Sequence, residues 1–149
     1  MTDLPGPEPP LPPSIALVIG SEGGIGSALV RELEASGRFS RVIGLGRRTD
    51  PPLDLLDEAS VATALGLAAS AGDLRLVIHA AGVLHGPGLI PEKSLSRIDP
   101  EAMALAFAVN ATGPALVMKH LAPRLPRRGR LRRRRPHGSL VGNGRKFVA

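Results

Sequence analysis

The sequence predicts an α/β protein with a partial doubly wound parallel sheet and helices on both faces. Two observations lead to this fold class. Residues 15–26, IALVIGSEGGIG, run from an apolar stretch without polar alternation into a glycine-rich turn, which is typical of a buried parallel strand followed by its crossover helix. Segments with strand character then alternate with segments of helical spacing, and this alternation favours βαβ units.

The other elements are predicted from their patterns in chain order. The first helix carries Ile25, Ala28, Leu29 and Leu33 on one face, with Gly37 as its stop. Strands are predicted at residues 41–45 (RVIGL), briefly at 53–56, and at 74–79 (LRLVIH), and helices at residues 59–71 and 100–121. We predict the strand order 3-2-1-4, in which LRLVIH is the fourth strand.

Composition limits the class of protein. The 149 residues suit one domain, and no stretch is expected to supply the ~20 apolar residues of a membrane span. The absence of cysteine excludes disulfides and thiolate metal sites. The leader MTDLPGPEPPLPP lacks the basic and apolar segments of a signal peptide. We therefore expect a cytoplasmic protein without a membrane partner.

The net charge of +6 is the sum over two segments of the chain that differ in composition. Residues 1–126 contain ten basic and thirteen acidic residues, whereas residues 127–149 contain nine basic residues and no acidic ones. We expect a disordered Pro-rich leader at residues 1–13, a folded domain at 14–125 and a disordered Arg-rich tail at 126–149. The leader could instead be a ligand for a proline-reading domain.

The glycine-rich turn carries the main functional hypothesis. Its spacing is Gly20-x-x-x-Gly24-x-Gly26, and glycines at such a turn let a pyrophosphate approach main-chain N–H groups at a helix N-terminus. Glycines also mark ordinary strand-to-helix turns. The turn resembles the Thr-Gly-x-x-x-Gly-Ile-Gly segment of the short-chain dehydrogenase/reductases, with Ile19 in place of the threonine. The resemblance implies a Rossmann fold and a nicotinamide cofactor bound by Gly20, Ser21, Gly24, Ile25 and Gly26.

Arg47 and Arg48 follow the second predicted strand. In this type of fold, the end of that strand faces the adenosine ribose, where an acidic residue would accept hydrogen bonds from NAD. A guanidinium group there can pair with a 2′-phosphate, so we expect NADP(H) to be preferred over NAD(H), with Arg47 as the contact. Alternatively, Arg47 and Arg48 are solvated charges on the protein surface. Asp54 resembles the family's adenine-contacting aspartate, and it could also cap a turn.

Two later segments add to the resemblance. His79-Ala80-Ala81-Gly82 is similar to the family's Asn-Asn-Ala-Gly, which places Ala80, Ala81 and Gly82 beside the cofactor. Asn110, in Val109-Asn110-Ala111-Thr112-Gly113, resembles the asparagine that supports a water-linked proton relay to the catalytic lysine. An asparagine within an apolar helix also needs partners for its amide. His79 has no metal-ligand spacing to the other histidines, so we expect no metal site.

Family members act on a carbonyl or alcohol with a catalytic Tyr-x-x-x-Lys, and the sequence contains no tyrosine. We therefore expect a catalytically inactive N-terminal portion of the fold. Seven arginines lie between residues 127 and 135. They could form a basic arm that binds nucleic acid without specificity, in a non-catalytic nucleotide-binding or nucleic-acid-binding protein. Alternatively, the tail is translated in a shifted frame or follows a truncation.

Overall fold

The computed structural model describes residues 13–86, 89–125 and 146–148, the last of these by their backbone. The predicted alternation of strands and helices is confirmed. The elements are β1 (Ser14–Ile19), α1 (Gly24–Ala35), β2 (Arg41–Leu45), α2 (Glu58–Ser70), β3 (Asp73–His79), α3 (Pro100–Phe107), α4 (Gly113–Leu121) and β4 (Lys146–Val148). A π-helical turn, Ala108–Thr112, joins α3 to α4, and short 3-10 turns lie at Leu95–Arg97 and Ala122–Arg124.

Strand β1 lies inside a parallel sheet of order β2-β1-β3-β4. Its residues from Ile15 to Ile19 are fully buried, as the unbroken apolar run predicts. Alternate residues of β1 point to opposite faces. Leu17 belongs to the core cluster that also contains residues of α2 and α4, while Val18 is paired with Gly44, above which Val30 of α1 packs. The doubly wound α/β fold with helices on both faces is therefore confirmed.

The predicted third strand is wrong. Residues 53–56 form a turn, so β2 is an edge strand of the described sheet. Leu53 and Leu55 are buried all the same, because they insert into the core from this turn. Pro51 and Pro52 precede them and cannot donate backbone hydrogen bonds to a neighbouring strand. The Asp54 N–H donates a hydrogen bond to the Ser60 hydroxyl oxygen, 3.0 Å away.

Helix α1 departs from its predicted face at one position. Ile25 is 74% exposed, so it does not join Ala28, Leu29 and Leu33, which are half-buried. Ile25 therefore lies on the solvent-facing side of the first turn of α1. Gly37 follows the helix with a φ of +59° and its N–H donates to the Glu34 carbonyl, as a C-terminal stop should.

The helical stretch from Pro100 to Arg124 contains an 18-residue window with a mean hydropathy of 1.3, of which 17% is buried. Contrary to the expectation from sequence, its length and composition would allow it to cross a membrane. It is the one such helix in the described part of the chain. Core helices of soluble proteins meet the same criterion, so length and hydropathy alone are weak evidence for a span.

The predictions for both ends of the chain fall largely outside the described residues, which exclude 1–12 and 126–145. The described strand β4 lies within the segment for which we expected disorder. It pairs in parallel with Leu76, Val77 and Ile78 of β3. That edge of β3 is therefore covered over three residues.

Candidate functional site

A cleft lies at the carboxyl ends of β1, β2 and β3, where three turns meet. The turn after β1, the turn after β2 and the loop after β3 all contribute to it, together with the turn at residues 53–56 and one residue of the π-helical turn. The lining residues are Ile19, Gly20, Glu22, Gly23, Gly46, Arg47, Leu53, Asp54, Leu55, Leu56, Ala80, Ala81, Gly82, Val83 and Val109. Ligands of open parallel sheets bind at this end of the strands.

Gly20 forms the floor of the cleft through main-chain packing. Its φ is +83°, and an ideal Cβ would lie 2.6 Å from the Ala81 nitrogen and 2.8 Å from the Ala80 carbonyl carbon. Its N–H donates to the Leu45 carbonyl at 2.7 Å, and the Ala80 N–H donates to the Ile19 carbonyl at the same distance. Only glycine fits here, because both the conformation and the space exclude a side chain.

Gly24 and Gly26 have different surroundings although both belong to the first turn of α1. An ideal Cβ on Gly26 would overlap the Gly20 carbonyl group and lie 3.0 Å from the Ser21 Cα. An ideal Cβ on Gly24 has no atom of the described residues within 4 Å. Packing therefore requires glycine at position 26 but not at position 24, where the open space is available to a ligand.

The N-terminus of α1 has the properties of an anion site. Gly23 is its N-cap, no side chain caps the helix, and its first turn contains no acidic residue. The first N–H groups of a helix have no intrahelical acceptor and carry the positive end of the helix dipole. Together with the bare glycine turn, this end of α1 suits a phosphate or pyrophosphate group.

Charged groups lie beside the turn after β2. The Glu22 carboxylate accepts a hydrogen bond from the Arg48 N–H at 3.0 Å and another from Arg48 Nε at 2.8 Å. These hydrogen bonds, first the backbone one and then the side-chain one, lower the pKa of Glu22, with a smaller contribution from the charge of Arg47. Arg47 is exposed and lines the cleft next to Gly46.

Asn110 links the π-helical turn to the loop after β3. Its Oδ1 accepts a hydrogen bond from the Val83 N–H at 2.8 Å, and its Nδ2 donates to the Val83 carbonyl at 2.7 Å. The expectation that this amide has partners is confirmed, although Asn110 itself is exposed. Both polar ends of the amide are engaged with one residue, so Asn110 holds the cleft-lining loop in place.

A family model described as the NAD dependent epimerase/dehydratase family matches residues 16–96, from β1 to the segment after β3. This is more than half of the chain. The chain belongs to this family. No curated protein matches it in sequence.

Solved structures of short-chain dehydrogenases share the fold. A short-chain dehydrogenase from Burkholderia cenocepacia J2315 in complex with NADP is 28% identical with a TM-score of 0.60, over 74% of this chain and 46% of that one. A small-chain dehydrogenase in complex with NADPH is 26% identical with a TM-score of 0.61, over 76% and 46% of the two chains. The Brucella melitensis 3-ketoacyl-(acyl-carrier-protein) reductase complexed with NADH is 20% identical with a TM-score of 0.62, over 74% and 50%.

The chain spans about half the length of these structures. The prediction of an N-terminal Rossmann portion of a short-chain dehydrogenase/reductase is confirmed by the family match and by the shared fold. The structures of 28% and 26% identity described above were solved with NADP and NADPH respectively. The residues present here fit a nicotinamide dinucleotide, because the uncapped helix and the open space at Gly24 suit its pyrophosphate.

For this family member, the cleft brings together six of the residues predicted to bind the cofactor, namely Gly20, Arg47, Asp54, Ala80, Ala81 and Gly82. Gly24 and Gly26 belong to the adjoining helix turn. Ile25 is exposed beside it, and Asn110 reaches the cleft through Val83. Asp54 also caps a turn, since its Oδ1 accepts from the Leu56 N–H at 3.0 Å.

Ser21 does not line the cleft. Its Cβ and Oγ lie 2.7 Å from the position of an ideal Cβ on Gly44, so the side chain packs against β2. Its N–H donates to the Leu45 carbonyl at 3.2 Å. Ser21 therefore packs the turn against the sheet. The motif had instead placed Ser21 among the residues that bind the cofactor.

His79 ends β3 at the first position of the segment that resembles Asn-Asn-Ala-Gly. It is 8% exposed, and its Nε2 has no hydrogen-bond partner among the described residues. Burial lowers the pKa of His79, so the neutral imidazole is favoured in the fold. Among the lining residues that the sequence interpretation did not include are Glu22, which forms a side-chain ion pair with Arg48, and Val83, whose backbone pairs with the Asn110 amide.

Proposed function

We propose that this chain is the cofactor-binding half of a short-chain dehydrogenase/reductase that acts on a carbonyl or alcohol, and that it prefers NADP(H). The observation that carries the cofactor preference is Arg47, an exposed guanidinium side chain on the wall of the cleft at the end of β2. A guanidinium there suits a 2′-phosphate. The NADP and NADPH in the relatives of 28% and 26% identity support a nicotinamide cofactor.

We propose that each of the three turns contacts a different part of the cofactor. The N-terminus of α1 and Gly24 would hold the pyrophosphate, Arg47 the 2′-phosphate, and Asp54 the adenine side, while residues 80–83 would lie along the cofactor. When bound, the nicotinamide supplies or accepts hydride. Asn110 keeps the last of these loops in position through Val83.

We further propose that these 149 residues bind the cofactor without catalysing its reaction. Proton exchange in the family uses a tyrosine phenol whose pKa a lysine lowers, and the sequence contains no tyrosine. Both polar atoms of the Asn110 amide are hydrogen-bonded to Val83. Its role in these residues is therefore to position the loop after β3. Carbonyl-dependent oxidation of NADPH by the purified chain would contradict this proposal.

Fluorescence titration with NADPH and NADH tests the cofactor preference directly. The chain has no tryptophan or tyrosine, so protein emission does not interfere with nicotinamide fluorescence. In Arg47→Ala we expect the Kd for NADPH to rise about tenfold, because a charge-assisted phosphate contact is lost, and the Kd for NADH to stay within about twofold. Arg38→Ala, an exposed arginine in the turn after α1, is the matched control. An unchanged Kd for NADPH in Arg47→Ala would contradict the proposed phosphate contact.

A further inference from the structure

The Glu22 carboxylate occupies the space above Gly46, at the end of β2. Its Cγ and Cδ each lie 3.1 Å from the position of an ideal Cβ on Gly46, and Oε2 lies closer still. A side chain at position 46 would therefore have to displace Glu22. The end of β2 has no acidic residue of its own, yet an acidic group from the neighbouring turn lies there.

Hydrogen bonds fix this carboxylate in place. It accepts from the Arg48 N–H and from Arg48 Nε, at 3.0 and 2.8 Å. The side chain of Glu22 is one-quarter exposed, whereas that of Arg48 is 82% exposed. Glu22 thus engages the Nε of the Arg48 guanidinium group, and most of that side chain stays exposed to solvent.

Glu22 and Arg47 lie on the wall of the same cleft. A 2′-phosphate placed beside Arg47 would bring up to two further negative charges next to the Glu22 carboxylate, and like charges at short range repel each other. It would also compete with that carboxylate for Arg48. The two hydroxyl groups of an unphosphorylated ribose, in contrast, can donate hydrogen bonds to a carboxylate.

We propose that Glu22 is a specificity-determining residue that limits the preference for NADP(H) by disfavouring the 2′-phosphate and accepting hydrogen bonds from the ribose hydroxyls of NAD(H). Arg47 and Glu22 then act in opposite directions on the same group of the cofactor. This inference rests on the proposed nicotinamide-cofactor function. It predicts that the discrimination between the two cofactors is small in the wild type and larger without the carboxylate.

The test uses two ligands that differ only in the phosphate of interest, adenosine 2′,5′-bisphosphate and adenosine 5′-monophosphate, with binding measured by calorimetry. In Glu22→Gln we expect affinity for the bisphosphate to rise about tenfold, because one like charge beside the phosphate is removed. Affinity for the monophosphate should fall or stay the same. Glu34→Gln, an exposed glutamate on α1, is the matched control.

A purely structural role for Glu22 would change both affinities by the same factor, and that result would overturn the inference. Circular dichroism establishes that Glu22→Gln is folded, and Glu22→Ser provides a second neutral variant that should raise the same affinity ratio. Titration of the wild type with NADPH and NADH separates the two failures. If the wild type binds neither cofactor, the proposed function fails together with the inference, whereas binding with an unchanged affinity ratio in Glu22→Gln overturns the inference alone.

Discussion

Replacement of Gly26 by alanine should destabilise the fold, whereas the same replacement at Gly24 should impair cofactor binding. On Gly26, the new Cβ would overlap the Gly20 carbonyl oxygen, and it would lie 2.7 Å from the Gly20 carbonyl carbon and 3.0 Å from the Ser21 Cα. Carbon atoms in contact normally lie about 3.5–4.0 Å apart. All of these neighbours are main-chain atoms, so no side chain can rotate away to make room.

The expected cost for Gly26→Ala is about 2–3 kcal/mol, at the upper end of what overpacking usually costs. This is a large part of the roughly 5–15 kcal/mol that stabilises a typical domain. In the part of the chain that the structure describes, the new Cβ of Gly24→Ala meets no atom within 4 Å. It should leave stability unchanged or raise it by about 0.4–1 kcal/mol, because alanine restricts the unfolded chain.

Urea denaturation followed by circular dichroism measures both effects, since the chain has no tryptophan for fluorescence. With a typical dependence of about 1–3 kcal/mol per molar urea, Gly26→Ala should lower the midpoint by about 1–2 M. NADPH titration of Gly24→Ala should show an affinity reduced by about tenfold, because the methyl group projects where the pyrophosphate is proposed to bind. Equal stability losses in the two variants, or a Gly26→Ala midpoint like that of the wild type, would refute this reasoning.

Two further predictions concern Asn110 and His79. Asn110→Ala should speed amide hydrogen exchange at Val83 and weaken NADPH binding, whereas unchanged exchange would show that the loop does not depend on this amide. Burial lowers the pKa of His79, so the unfolded chain takes up its proton first as the pH falls below about 6.5. The free energy of unfolding should therefore fall from that pH down to the lowered pKa, and His79→Asn should flatten the slope. An identical slope in the variant would assign the pH dependence to other groups.

The parts of the fold that the sequence predicts are those with local signals. β1 is a continuous apolar run, and the glycine spacing after it marks both the turn and the start of α1. Residues 53–56 were misassigned because Leu53 and Leu55 are buried from a turn, and burial alone does not distinguish a turn from a strand. The apolar run of β1 and the glycine spacing after it do not depend on how distant parts of the chain meet.

Contacts between distant residues required the three-dimensional structure. Glu22 and Arg48 are 26 positions apart and lie in the turns that follow β1 and β2. Their ion pair forms because the parallel pairing of β1 with β2 brings these turns together. The sequence does not state which strands pair, and it likewise does not reveal that Asn110 meets Val83.

The floor of the cleft at Gly20 is made by main chain packed on main chain, with the Ala80–Ala81 peptide against the turn. A surface of this kind keeps its shape whichever side chains the neighbouring residues carry. Apart from the glycine at position 20, loop length therefore constrains it more strongly than residue identity does. An insertion of one residue between Ile19 and Gly24, or between His79 and Val83, would remove the contact, whereas many substitutions at Ala80 or Ala81 would preserve it. Variation at this contact is thus limited by the glycine at position 20 and by loop length.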